Sequence, residues 1–159
     1  MSDLSKSARR FRERMREAGH DIDVVGLSSS TRTAKEAADT IGCSVAQIAK
    51  SIVFRTEDGD RAVIAVASGT NRVSIDKVSA LVGTKLLGAN GNFVKKTVGY
   101  AIGGVPPAGH DGDTVVVLDR DLTAFDEIWA AAGTPFAVFK LEPAQLPALT
   151  GADWADIAE

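Results

Sequence analysis

The chain has 159 residues, of which 45% are apolar and 25% charged, and its formal net charge is −3. This length matches one domain, which can bury a core without disulfide or metal crosslinks. The apolar runs, such as residues 62–67 and 115–118, are far shorter than the roughly 20 residues that span a bilayer, and no apolar stretch follows the arginine-rich start. We therefore expect neither a membrane span nor a secretory signal.

The charge and the cysteine content exclude further classes. A net charge of −3 argues against a strong nonspecific nucleic-acid binder, whose domain is usually basic, but it allows a protein that grips only the end of an RNA. Cys43 is the single cysteine, so no disulfide can form within the chain, and a cytoplasmic protein is expected. The chain contains only two histidines in addition to this cysteine, so we expect no zinc site. We interpret Cys43 as a partly buried apolar residue.

Residues 4–18 predict an amphipathic helix that ends at Gly19. Its apolar positions recur at alternating spacings of four and three and form one stripe: Leu4, Ala8, Phe11, Met15 and Ala18. Most of the arginines in this segment lie off that stripe: Arg9, Arg10, Arg12, Arg14 and Arg16. They either form a solvated helix face or contact an RNA backbone, with Arg9, Arg10 and Arg12 as the candidate contacts.

Capping and turn signals divide the rest of the chain into helices and strands. A capping box at residues 33–36 starts a helix that ends before Gly42, and a second box at residues 44–47 starts a short helix that reaches Ala49 or Lys50. The other predicted helices are residues 75–82, 93–98 (capped by Asn92) and 144–149. The predicted strands are residues 22–27, 51–55, 61–68, 85–87, 114–119, 126–131 and 136–141, with a hairpin turn at residues 57–60. This order predicts a single α/β domain with a mixed or mostly antiparallel sheet.

The most informative stretch is a glycine- and proline-rich segment: Gly103, Gly104, Val105, Pro106, Pro107, Ala108, Gly109 and His110. Glycine allows positive φ and close approach of a ligand, and proline fixes its own φ and removes an N–H group. Such a backbone can aim main-chain N–H groups at a developing oxyanion, or it can be merely a rigid loop. The composition of the segment allows both interpretations.

Lys50 is the second candidate for chemistry. It stands where the predicted short helix meets a core strand, among Ile48, Ile52 and Phe54. A lysine in apolar surroundings costs free energy unless its ammonium reaches water or an anionic partner. Lys50 therefore either extends its ammonium to solvent or binds a phosphate or an ester oxygen.

Other patterns in the chain do not indicate a site. Asp119, Asp121 and Asp126 lack the spacing of an EF-hand or of a two-metal site, and we interpret them as turn and strand-end residues. Residues 88–92 are glycine-rich but lack the lysine of a P-loop. No Gly-x-Ser-x-Gly elbow occurs, so a serine hydrolase triad is not supported.

Four segments, taken in chain order, resemble the family of YbaK proteins and of the editing domains associated with prolyl-tRNA synthetase. They are residues 35–38, 49–54, 99–110 and 141–152. The specific part is the Gly-Gly-Val-Pro-Pro loop combined with the upstream lysine, and the resemblance extends over about residues 7–157. It implies one domain over residues 1–159, with a mixed, barrel-like sheet of about seven strands surrounded by helices.

The same resemblance implies an activity, which is hydrolysis of the ester that joins an incorrect small amino acid to the 3′ adenosine of a tRNA. No metal or other cofactor is expected. Lys50 aligns with a lysine thought to bind the substrate near the adenosine and the ester, and the family's Gly-x-x-x-Pro motif falls on residues 103–107. The implied catalytic groups are Lys50 and the main chain of Gly103, Gly104 and Val105. The aminoacyl-tRNA 3′ end is the expected partner, and prolyl-tRNA synthetase is a candidate second partner.

The resemblance also implies a set of substrate-binding positions: Leu27, Thr31, Thr33, Pro106, Pro107, Gly109, His110 and Ala131. Cysteine-editing members carry an aromatic residue near the position of Thr33 and a serine near that of Ala131, and this chain has neither. The expected amino acid is therefore alanine, 2-aminobutyrate, serine or threonine, with tRNA-Pro as the expected tRNA.

Two alternatives stand beside this interpretation. The fold could serve as a non-catalytic module that binds the tRNA end or accompanies a synthetase, in which case binding would depend strongly on salt. It could also hydrolyse small esters without any RNA.

Overall fold

The strands of a computed structural model, which describes residues 4–58 and 61–159, form one mixed eight-stranded sheet. The strands are β1 (Val24–Gly26), β2 (Ile48–Thr56), β3 (Ala62–Ser68), β4 (Leu86–Gly88), β5 (Thr114–Asp119), β6 (Ile128–Ala131), β7 (Ala137–Leu141) and β8 (Trp154–Ala155). Their order is β1-β7-β6-β2-β3-β5-β8, and β4 pairs with β2. The pairs β2–β6, β3–β5 and β5–β8 are parallel and the others antiparallel. The expected α/β class with a mixed sheet is confirmed.

Strand β3 lies in the middle of the sheet, and all seven of its residues are buried. Ile64 and Val66 belong to the larger core cluster, whereas Val63 and Ala65 belong to a second cluster. A strand with apolar packing on both faces needs a continuous apolar run rather than an alternating one. This requirement explains why residues 62–67 contain no polar side chain.

The helices are α1 (Lys6–Glu17), α2 (Ala34–Ile41), α3 (Ile75–Val82), α4 (Gly91–Thr97) and α5 (Gln145–Thr150). Helices α1, α4 and α5 contribute Phe11, Val94 and Leu146 to the larger cluster, whereas α3 contributes Val78 to the second. Helix α2 packs in a third cluster through Ala37 and Ala38. None of the helices in the described residues has the length and apolarity needed to cross a membrane.

The helix boundaries follow the caps expected from the sequence at two helices. The Thr33 hydroxyl accepts from the Glu36 N–H at the start of α2, and the Ser74 hydroxyl accepts from the Lys77 N–H at the start of α3. A glycine with positive φ ends both helices, Gly42 after α2 and Gly83 after α3. At these two helices the capping residue marks the boundary, because its side chain pairs with a backbone group that the helix itself leaves unpaired.

Two local predictions were wrong. The box at residues 44–47 forms only a 3₁₀ turn, Val45–Gln47, and β2 begins at Ile48, so Lys50 is the third residue of a strand. Pairing of Ile48 with Trp129 outweighs the local helix signal. Helix α4 is capped by Asn90, whose side chain accepts from the Phe93 N–H, and not by Asn92.

Other parts of the fold carried no recognised sequence signal. Strand β8 and the 3₁₀ turn Arg120–Ala124 lie in segments to which the sequence patterns assigned no helix or strand. Of the predicted hairpin turn at residues 57–60, Gly59 and Asp60 lie outside the described residues. The C-terminal segment packs beside α3, where the Ser74 N–H donates to the Ile157 carbonyl at 2.7 Å.

Replacing Ile157 with alanine should lower the free energy of unfolding by about 2–5 kcal/mol, because Ile157 is fully buried in the second cluster and its loss leaves a cavity. Ile75 provides a matched control, since it is 48% exposed and Ile75→Ala should change stability by less than about 0.5 kcal/mol. Urea unfolding followed by circular dichroism measures both. Equal losses would contradict the burial of the C-terminal segment.

Candidate functional site

A cavity of about 260 Å³ lies where strands β2 and β6 diverge. The two strands pair only through Ile48 with Trp129 and Ala49 with Ala130. The following residues, 50–52 on β2 and Ala131 on β6, line the cavity instead of pairing with each other. The end of this short parallel ladder therefore creates the opening.

The rest of the wall comes from one helix and two loops. Helix α2 contributes Ala34, Ala37 and Ile41, which pack in one cluster with Ile48 and Trp129. The loops contribute residues 31–33 and the residues Ile102, Gly103 and Val105. A mostly apolar cavity with a few polar groups is typical of a small-molecule site, and this volume is slightly below the usual range of roughly 300–1,000 Å³. The cavity thus fits a small group rather than a large ligand.

Strand β2 contains two basic residues, Lys50 and Arg55. Lys50 lines the cavity, whereas Arg55 lies farther along the strand and outside the lining. Its Nζ donates to the Gly69 carbonyl at 3.4 Å, a long hydrogen bond that leaves two ammonium hydrogens for other acceptors. Burial lowers the pKa of Lys50 from its usual value, and the carboxylate of Asp119 partly opposes that shift. A partly desolvated ammonium binds an oxygen of a ligand more strongly than one in water.

Close packing fixes the two glycines of the loop. Gly103 has a φ of +89°, and a Cβ there would lie 3.0 Å from Cγ of Arg32. A Cβ on Gly104 would lie 2.5 Å from Cα of Thr134, closer than two carbon atoms can approach. Only glycine therefore fits at Gly104, between the loop and the turn that follows β6.

The same packing links three loops around the cavity. Thr31 donates from both its backbone N–H and its hydroxyl to the Pro135 carbonyl, at 2.7 Å in each case. The loop before α2 is thereby tied to the turn against which Gly104 packs. These bonds hold the polar part of the cavity wall in place.

The loop offers two main-chain donors to a ligand. The Gly104 N–H is used internally, since it donates to the Ala101 carbonyl at 2.9 Å. The N–H groups of Gly103 and Val105, both of which line the cavity, have no hydrogen-bond acceptor among the described residues. Donors left without partners in a lining segment are suited to bind a carbonyl oxygen or an oxyanion.

Two arginines of helix α1 donate hydrogen bonds to main-chain carbonyls at the two ends of residues 99–109, the segment that contains this loop. Arg10 donates to the Gly99 carbonyl, and its guanidinium lies 4.6 Å from the centre of the Tyr100 ring. Arg14 donates to the Gly109 carbonyl at 2.7 Å, and the Tyr100 hydroxyl donates to the same oxygen at 3.0 Å. Arg10 and Arg14 thus hold the loop through hydrogen bonds, whereas Arg9 is exposed on the helix surface.

His110 also holds the loop. Its Nε2 lies 2.7 Å from the Pro106 carbonyl oxygen and its Nδ1 lies 2.9 Å from Oγ1 of Thr114. A carbonyl can only accept, so we assign the proton to Nε2, and Nδ1 then accepts from the Thr114 hydroxyl. Burial is the main cause that lowers the pKa of His110, which favours this neutral ring. Both nitrogens are engaged within the protein.

The structure brings part of the expected site together at the cavity. Lys50, Gly103 and Val105 line it, and so do Thr31, Thr33 and Ala131. The remaining expected positions do not line it: Leu27, Gly104, Pro106, Pro107, Gly109 and His110. Several of these shape the loop instead, as the contacts of Gly104 and His110 illustrate.

Sequence reasoning did not name the other lining residues as part of the site, and these include Arg32, Ser51, Ile102 and Trp129. The Ser51 hydroxyl is buried and has no hydrogen-bond partner among the described residues. Its place beside Lys50 was the only signal for it. Arg32 is exposed and lies over Gly103, a contact that no sequence pattern reveals.

These groups are suited to bind a small polar group through one ammonium and main-chain donors. The described residues contain no cluster of three or more His, Cys, Asp or Glu side chains that could hold a metal. The model of the aminoacyl-tRNA editing domain family matches residues 28–149, a range that contains every residue of the cavity lining. The chain belongs to this family.

The matches to related proteins extend over most or nearly all of the chain. The uncharacterized protein YwhH of Bacillus subtilis (strain 168) is 34% identical over 138 residues, which are 86% of this chain and 87% of YwhH. A crystal structure of a protein whose proposed role is trans-editing for prolyl tRNA synthetase is 47% identical, with a TM-score of 0.91 and 99% of each chain covered. A structure from computational grafting of linear epitopes onto scaffold proteins is 45% identical, with a TM-score of 0.90 and coverage of 98% and 99%.

Replacing Gly104 with alanine should lower the free energy of unfolding by about 1–3 kcal/mol, because the added methyl group pushes against the Thr134 backbone. Gly88 is the matched control, since a Cβ there meets no atom within 4 Å among the described residues. Gly88→Ala should change stability by less than about 0.5 kcal/mol. Thermal unfolding compares the two, and an unaffected Gly104→Ala protein would contradict the packing described for the loop.

Proposed function

We propose that this protein is a trans-editing aminoacyl-tRNA deacylase, which hydrolyses the ester between a mischarged small amino acid and the 3′ adenosine of a tRNA. One observation carries the proposal. Lys50, Gly103 and Val105 line the same small cavity, and the N–H groups of Gly103 and Val105 have no acceptor among the described residues, in a chain that belongs to the aminoacyl-tRNA editing domain family.

In the proposed reaction, an oxygen nucleophile attacks the carbonyl carbon of the aminoacyl ester. The carbonyl oxygen becomes an oxyanion, which accepts hydrogen bonds from the N–H groups of Gly103 and Val105. Lys50 donates to an oxygen of the ester or of the ribose. Collapse of the tetrahedral intermediate breaks the ester C–O bond, the ribose oxygen takes a proton, and the amino acid leaves with a free carboxylate.

The proposed nucleophile is water, activated within the substrate. The cavity lining contains no histidine, aspartate, glutamate or cysteine, and its two ionisable side chains are the cations Lys50 and Arg32. Neither is suited to remove a proton from water while it is positively charged. The neighbouring hydroxyl of the terminal ribose can orient this water, whose one proton goes to the leaving ribose oxygen and whose other proton goes to solvent, and electrostatic stabilisation by the protein then supplies most of the acceleration.

The size of the cavity supports a small amino acid. A volume of about 260 Å³ must hold the aminoacyl group and part of the ribose. Ala131 and Val138 line it without polar side chains that would select a charged amino acid. We therefore propose alanine, 2-aminobutyrate, serine or threonine as the amino acid that is removed. The role proposed for the protein of the 47% identical structure supports tRNA-Pro as the tRNA and prolyl-tRNA synthetase as a partner.

Basic residues outside the cavity are proposed to contact the RNA. Arg32 is exposed and lines the cavity, where its guanidinium can pair with a phosphate of the terminal nucleotides. Arg9 and Arg12 on α1 remain candidate contacts for the RNA backbone, whereas Arg10 donates to the Gly99 carbonyl and is engaged within the protein. Contacts of this kind would make binding weaker as salt increases.

We expect the protein to release one or a few small amino acids from tRNA-Pro and to spare prolyl-tRNA-Pro. Lys50→Ala should reduce the single-turnover rate by about 10²-fold or more, the usual cost of removing one group that stabilises the transition state. Because burial lowers the pKa of Lys50, the wild-type rate above background should fall as pH rises through that lowered pKa. The measurement is release of radiolabelled amino acid from tRNA-Pro charged with alanine, 2-aminobutyrate, serine, threonine, cysteine or proline.

Lys85→Ala is the matched control, since the Lys85 side chain is 74% exposed, pairs with Glu57 and lies outside the cavity lining. It should keep the wild-type rate. Spontaneous hydrolysis, measured without protein at each pH, is subtracted. A Lys50→Ala protein with the wild-type rate would overturn the proposed role of the lysine, and no release from any of the six substrates, with intact tRNA binding, would favour the binding-module alternative.

A further inference from the structure

Asp119 is a buried carboxylate that the proposed reaction does not use. It is the last residue of β5 and caps the 3₁₀ turn Arg120–Ala124, and it is 1% exposed. A buried charge is costly unless hydrogen bonds compensate for the lost water. The hydrogen-bond donors around Asp119 therefore identify the part of the chain that this carboxylate holds in place.

Three donors surround Asp119. Its Oδ2 accepts from the Ser68 N–H at 3.0 Å and from the Asn71 side-chain amide at 2.8 Å. Its Oδ1 accepts from the Asp121 N–H at 3.0 Å. Two of these donors belong to residues 68–71, the segment that leaves β3, so the carboxylate holds both ends of that segment.

The segment held by Asp119 carries the acceptor of Lys50. Gly69 lies between the two donors, and its carbonyl accepts from the Lys50 ammonium. The same glycine packs tightly, since a Cβ there would lie 2.2 Å from the Val45 carbonyl oxygen. The Ser68 hydroxyl donates to the Ala46 carbonyl at 2.6 Å. The position of the Gly69 carbonyl is thus fixed from two sides.

Asp119 is also the acidic group that acts on Lys50. Its carboxylate is the charge that raises the pKa of Lys50 against the lowering by burial. The other ionisable side chain of the cavity lining is a cation, Arg32. The charged residues of the neighbouring elements are exposed to solvent: Lys35, Glu36 and Asp39 on α2, Asp121 after β5, Glu127 before β6 and Lys140 on β7.

We propose that Asp119 is a positioning residue for Lys50, which fixes residues 68–71 so that the Gly69 carbonyl orients the ammonium, and whose carboxylate provides the opposite charge to this ammonium. The proposal rests on the role of Lys50 in the proposed function. Asp119 does not line the cavity and does not touch the substrate, so it acts through the lysine.

The decisive variant is Asp119→Asn, which keeps the size of the side chain and removes its charge. Asp126→Asn is the matched control, because Asp126 is exposed, lies outside the cavity lining and makes no contact described for residues 68–71. The pH titration of the Lys50 Cε resonance is followed by NMR in both variants and in the wild type. The resonance is assigned by its absence in Lys50→Arg, and thermal unfolding verifies that each variant is folded.

In Asp119→Asn, Lys50 should titrate at lower pH than in the wild type, and the alkaline limb of the deacylation profile should move to lower pH with it. The value of kcat/KM at neutral pH should fall about tenfold, as expected for loss of a hydrogen-bonded charge. Asp126→Asn should leave the titration and the rate unchanged. A folded Asp119→Asn protein in which Lys50 titrates as in the wild type overturns the proposal.

Asn71→Ala separates orientation from charge and serves also if Asp119→Asn does not fold. It removes one donor from residues 68–71 but keeps the carboxylate, so kcat/KM should fall about threefold while the alkaline limb stays in place. Wild-type kcat/KM in this variant overturns the orienting role. The NMR titration does not depend on deacylation, so a shifted Lys50 titration in a protein without deacylase activity would support the pairing with Asp119 and reject the proposed function.

Discussion

The partly buried ammonium of Lys50 is the constraint around which this structure is organised. A cation inside a β-sheet costs free energy unless nearby groups replace its water. Here the Gly69 carbonyl accepts one hydrogen bond and the buried Asp119 provides the opposite charge, while the divergence of β2 and β6 leaves open space beside the lysine. The lysine thus keeps ammonium hydrogens available for a ligand in the cavity.

The rest of the site consists of loops that other parts of the chain hold in place. Gly104 packs against Thr134, Arg10 and Arg14 bind carbonyls at the two ends of the glycine-rich loop, and His110 binds a carbonyl within it. Helix α1 precedes the range matched by the family model, residues 28–149, yet it bonds directly to the loop that lines the cavity. The loop that carries the proposed oxyanion donors is therefore held by packing and hydrogen bonds within the protein, as the proposed electrostatic catalysis requires.

The sequence allowed prediction of the features that depend on local chemistry. Thr33 and Ser74 marked helix starts because capping is local, and the run at residues 62–67 marked a core strand. Lys50 and the loop at residues 103–107 were recognised by their residue types and by the family resemblance. Features that depend on long-range packing were missed. Residues 48–50 form strand because they pair with β6 and β3. Neither the approach of Arg32 to Gly103 nor the bond between Asn71 and Asp119 has a signal in the sequence.

The central claim is that the Lys50 ammonium and the N–H groups of Gly103 and Val105 bind the aminoacyl ester in one cavity. The most direct measurement is a crystal structure with the hydrolysis-resistant amide of alanine and 3′-amino-3′-deoxyadenosine. The amide carbonyl oxygen should lie at hydrogen-bonding distance from at least one of these N–H groups, and Lys50 should contact an oxygen of the ligand. An analogue bound outside this cavity, or inside it with its carbonyl directed away from the loop, would show that these groups do not bind the ester.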